Sequence, residues 1–99
     1  MKNRLTDEEI NLLKGSKLPW TRGDELYKTG DRWFQPRKPN LKALETEWYA
    51  KGLSGTWYCI ARRYGEVHLD VKEYTEDLFH HERKYNTVDA ALGRAESRD

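Results

Sequence analysis

Residues 66 to 74, EVHLDVKEY, alternate apolar and polar side chains with a period of two. Successive side chains of a strand point to opposite faces, so Val67, Leu69 and Val71 turn inward while His68, Asp70 and Lys72 turn outward. Such a strand needs a core under one face and neighbours for its backbone groups, which commits this part of the chain to a sheet. The preceding run, GTWYCIARRYG, is rich in aromatic and branched residues and reads as a second strand. LFHHERKY is the third. If a turn at Tyr74, Thr75 and Glu76 joins it on, Phe79 falls opposite Val71, His80 opposite Asp70 and Arg83 opposite Val67. A one-residue slip would carry Glu82 and Lys84 to the apolar side, so the hydrophobic pattern prefers the first register.

Helix signals flank these strands. Thr6 with Glu9 forms a capping box, Leu5 and Ile10 are placed as a hydrophobic staple, and Gly15 is a C-terminal stop. Asn40 caps a second helix, LKALETEWYAK, closed by Gly52, with Leu41, Leu44 and Trp48 facing the core. The last helix starts at Asn86 or Thr87 and carries Val88, Ala91, Leu92 and Ala95 on one stripe. Between the first two helices, residues 16 to 39 hold Pro19, Gly23, Gly30, Pro36 and Pro39, which argue against a regular helix. A short strand or hairpin around Leu26, Tyr27, Trp33 and Phe34 is the most order that this arm is expected to have.

These elements predict a single α+β domain over residues 1 to 99. It comprises an N-terminal helix (1–15), an irregular aromatic and basic arm (16–39) and an α-β-β-β-α core (40–99) with a three-stranded antiparallel sheet. From the second helix onward, that element order resembles the double-stranded-RNA-binding domain. The resemblance implies RNA binding through a basic cluster at the start of the final helix. Here that segment reads NTVDAALGRAE, without the cations.

Lys plus Arg number 18 against 17 for Asp plus Glu, a net charge of +1, so no global field steers the chain onto nucleic acid or an anionic membrane. Cys59 is alone, which excludes an internal disulfide and a four-cysteine zinc site. The first residues, MKNRLTDEEINLLKG, carry charges where a signal peptide has its apolar run, and no window approaches the roughly 18 apolar residues of a membrane span. A reducing cytoplasm is the expected location.

Catalytic patterns are weak. His80 and His81 are consecutive and point to opposite faces of a strand, so with His68 they are expected to scatter, leaving no metal site and no cofactor. Cys59, alternating with Trp57 and Ala61, reads as a buried thiol packed beside Trp57 and Trp48. No nucleophile elbow or phosphate-cradling loop is present. Arg22-Gly23-Asp24 spells an integrin-binding tripeptide, a match too short to carry weight.

The arm offers more. Trp20, Tyr27, Trp33 and Phe34 alternate with Arg22, Lys28, Arg32, Arg37 and Lys38. Large amphipathic and guanidinium side chains are the usual anchors of protein interfaces. The expectation is a non-enzymatic adaptor or inhibitor that docks on a larger protein or complex through Trp20, Arg22, Tyr27, Arg32, Trp33, Arg37 and Lys38. An origin in a phage or mobile element would fit that role. The alternative partner is nucleic acid, with bases stacked on the aromatics and phosphates met by the cations, including a second patch at Arg62, Arg63, Arg83 and Lys84.

Overall fold

The alternating run forms strand β4, Glu66–Lys72, in the computed structural model, which describes residues 4–29 and 40–99. Val67, Leu69 and Val71 are fully buried, as the pattern requires. β4 pairs with β3, Trp57–Arg63, and with β5, His80–Tyr85; β2, Glu47–Lys51, and the two-residue β1, Thr21–Arg22, complete the sheet. All pairings are antiparallel, in the order β1-β2-β3-β4-β5, so each strand lies beside its neighbours in sequence.

Two apolar layers cover this sheet unequally. On the first face lie α1, Asp7–Lys14, and α4, Val88–Arg98, which join Leu13, Val88, Ala91, Leu92 and Ala95 to Tyr58, Ile60 and the three β4 residues. Both helices keep the caps read from sequence. Thr6 and Glu9 close the capping box, and Thr87 Oγ1 accepts from the Ala90 amide at 3.1 Å. On the second face, α2, Gly23–Lys28, and α3, Leu41–Leu44, bring Leu26 and Leu44 against Tyr49, Trp57 and Cys59. β3 is therefore enclosed on both sides, and Trp57 through Ala61 are all buried. No helix among the described residues is long and apolar enough to cross a membrane.

The α+β class holds, with five strands among the described residues instead of three. The expected helix LKALETEWYAK ends after Leu44, where Thr46 Oγ1 donates to the Ala43 carbonyl at 2.8 Å, and its second half is β2. Trp48 and Ala50 pack on the first core and Tyr49 on the second. A strand buried on both faces shows no polar alternation, and its apolar run reads equally well as helix. From α3 onward the order is α-β-β-β-β-α, one strand more than in the double-stranded-RNA-binding domain, which removes that resemblance. The arm contains β1 and a helical turn, α2, where no regular helix was expected; residues 30–39 lie outside the described set.

The β4–β5 register also differs. His80 lies opposite Val71, His81 opposite Asp70, Arg83 opposite Leu69 and Tyr85 opposite Val67, with a bulge that leaves Glu82 as the extra residue. Phe79 stays in the 73–79 connection, where its ring packs edge-on against Tyr49 at 5.5 Å. That contact on the second face replaces the expected one with Val71.

Candidate interaction surface

The residues expected to bind a partner divide into three groups. Trp20 belongs to the first core, and its indole Nε1 donates to Ser16 Oγ at 3.2 Å. Its burial makes it a packing residue with little surface to offer. Arg22 and Tyr27 stand at the base of the arm. Arg22 is clamped by Asp24 through bonds of 2.5 and 3.0 Å and lies 3.6 Å from Glu25, while Tyr27 packs partly on the second core. Arg32, Trp33, Arg37 and Lys38 lie outside the described residues. The Arg22-Gly23-Asp24 tripeptide is folded into the strand–helix joint. A Cβ on buried Gly23 would stand 2.7 Å from the Leu44 carbonyl oxygen.

A second group, missed from sequence, forms the β3–β4 turn. Tyr64 and Gly65 both have positive φ, 54° and 81°, the pattern of a type I′ hairpin. A bulky side chain at such an angle is an outlier that the flanking structure must hold in place. Here two arginines hold it, one on each face. Arg62 donates to the Gly65 carbonyl at 3.0 Å and to Glu9 of α1. Arg63 donates to Glu47 at 3.1 Å and to Asp70 at 2.9 Å. Burial works against the Arg63 charge, but the two carboxylates outweigh it and raise its pKa. Tyr64 stands 84% exposed on this turn. Beside it, Asn40, Lys42, Thr46, Glu47 and Arg63 help to line a groove of about 370 Å³.

The opposite end of the sheet exposes three large side chains with apolar surface. The β2–β3 turn carries Leu53, 102% exposed, and the β4–β5 connection carries Tyr74 and Leu78, at 77% and 79%. The turn is fixed by Asp99, whose carboxylate accepts from the Leu53 amide at 3.2 Å and from Ser54 Oγ at 3.0 Å. Isolated leucines in the polar contexts KGLSG and EDLFHH were the available sequence signal for these positions.

The histidines correct the expectation of scatter. Because the bulge seats His81 opposite Asp70, its Nε2 lies 3.0 Å from His68 Nδ1, while His80 goes to the other face beside Glu76. Around them the second face is polar: Tyr49 Oη donates to Glu47 at 2.9 Å, and Arg63 joins Glu47 to Asp70. Among the described residues, no group of three or more His, Cys, Asp or Glu side chains is placed to hold a metal ion.

The chain matches no family sequence model, no curated protein and no solved structure.

Proposed function

We propose that this chain is a non-catalytic binding protein, an adaptor or inhibitor that docks on a larger protein through aromatic, apolar and arginine side chains. One observation carries the reading: nearly all the described arginines are tied up in ion pairs while large apolar groups stand in solvent. Every described arginine except Arg83 sits in an ion pair, and Arg83 lies over the Tyr85 ring at 5.8 Å. Lys84 is paired with Glu66 at 3.4 Å. The second basic patch suggested by Arg62, Arg63, Arg83 and Lys84 therefore has little free charge for phosphates, and a polyanion would have to break these pairs. Leu53, Tyr64, Tyr74 and Leu78 are instead the groups that gain from being covered by another protein. Arg32, Trp33, Arg37 and Lys38, with Arg22 and Tyr27, complete the proposed contact set.

The test is capture of partners from cell lysate on the immobilised chain, with and without nuclease. A discrete protein retained after nuclease treatment, and lost from a Tyr74→Ala/Leu78→Asp variant or from Trp33→Ala, supports the reading. A partner lost on nuclease treatment supports the nucleic-acid alternative.

A further inference from the structure

We propose that His68 and His81 form a two-histidine chelate for a divalent transition metal, favouring copper(II) and nickel(II) over zinc. Nδ1 of His68 and Nε2 of His81 stand 3.0 Å apart across β4 and β5. Two imidazole nitrogens at ordinary metal distances are about 2.9 Å apart when they subtend a right angle and about 3.4 Å apart at the tetrahedral angle. The observed spacing suits adjacent positions of a tetragonal or octahedral ion, the geometry that copper(II) and nickel(II) take more readily than zinc. The rings are tilted by 53° with centroids 5.1 Å apart. In the structure these nitrogens face each other in a hydrogen bond, so metal binding requires each ring to turn about χ2 until both lone pairs meet one ion.

The other nitrogen of His68 is an independent indication. Nε2 is buried, makes no hydrogen bond within the described residues, and lies 3.8 Å from Glu66 Oε1. In the metal-binding tautomer this nitrogen carries the proton and presents it to a carboxylate, the usual support for a histidine ligand. Asp70, the cross-strand partner of His81, brings negative charge to the same neighbourhood, and its Oδ1 has no hydrogen-bond partner among the described residues. The nearby Arg63 charge is offset by Glu47 and Asp70. The protons balance: the N–H shared in the contact moves to the far nitrogen of its own ring or passes to solvent as the metal takes its place. Water fills the remaining coordination positions.

Untagged, chelator-treated protein titrated separately with copper, nickel, zinc and magnesium salts tests this by calorimetry and, for copper, by electron paramagnetic resonance. The expected result is one equivalent of copper with imidazole nitrogen coupling, affinity falling from copper to nickel to zinc, and no response to magnesium. His68→Gln and His81→Gln should each weaken copper binding about tenfold or more, and His80→Gln should leave it unchanged. As a readout on the unaltered chain, substoichiometric copper should broaden the ring resonances of His68 and His81 before those of His80. Binding that persists in both His68→Gln and His81→Gln, an equal loss in His80→Gln, or broadening of His80 first would overturn the proposal.

Discussion

Cys59 shows how a single position reads out the layering of the sheet. It is 2% exposed, and burial pushes its thiol well above the usual range. Its companions are Tyr49 and Trp57 on the second face, while Trp48, expected beside it, packs on the first. A thiol reagent should therefore label the native protein slowly and the unfolded protein quickly. Cys59→Ser should cost about 1 to 3 kcal/mol, because it leaves a buried hydroxyl poorly satisfied. Fast native labelling would remove Cys59 from the core. Two glycines give a paired test of opposite sign. A Cβ at Gly23 would meet the Leu44 carbonyl at 2.7 Å and Tyr49 Cε1 at 3.0 Å, where α2 crosses α3 and β2. Gly23→Ala should destabilise by about 1 to 3 kcal/mol through that overpacking. Gly93, on the exposed side of α4, has nothing within 4 Å of the same added atom. Gly93→Ala should stabilise by about 0.4 to 1 kcal/mol, and thermal melts of the two variants should move in opposite directions.

Among the elements, the β4–β5 pair is the one whose stability should respond to mild acid. His68 has a lowered pKa in the fold, caused first by burial and then by Arg63 and His81. The unfolded chain then takes up the proton more readily than the native one. Its contribution is fully present above the ordinary imidazole value of 6.5 and is lost as pH falls below that value toward the folded pKa. Melting temperature should fall between pH 7 and 5.5, with a shallower slope in His68→Gln; an unchanged slope would show that His68 does not set it. What the sequence made legible at this scale follows from the physics of each element. α1 and α4 announce themselves through side-chain caps and a one-sided stripe, and β4 through alternation, because one face meets apolar core and the other is largely polar. β2 was hidden because both faces are covered, so Trp48, Tyr49 and Ala50 lose the contrast that marks a strand. The bulge at Glu82 was hidden because alternation in the sequence cannot show an extra residue in the pairing, and Phe79 went instead to Tyr49, 30 positions away in the chain. The His68–His81 contact was lost with it, since the register one residue away puts His80 there instead.

At the scale of the whole molecule, the near-zero net charge is distributed as local pairs that bridge separate elements. Arg62 joins β3 to α1, Arg63 joins β3 to β2 and β4, and Arg94 joins α4 to β5. Pairs of this kind fix geometry more than they add stability, and they leave few described arginines free for a partner. The exposed apolar and aromatic groups at the two ends of the sheet are what a partner protein can use. Docking at hot-spot residues typically costs about 2 kcal/mol per truncation, roughly thirtyfold in affinity. Trp33→Ala and Arg37→Glu should each produce a loss of that order against the captured partner, with thermal melts unchanged from the parent chain. Because every described arginine but Arg83 already sits in an ion pair, this affinity should vary little between low and physiological salt, in contrast to the steep decline of a phosphate-binding surface. Melting and binding measured together across salt separate the outcomes. Unfolding of Trp33→Ala would make the arm part of the core, and a steep salt dependence with any single-stranded DNA or RNA would transfer the same residues to nucleic-acid recognition.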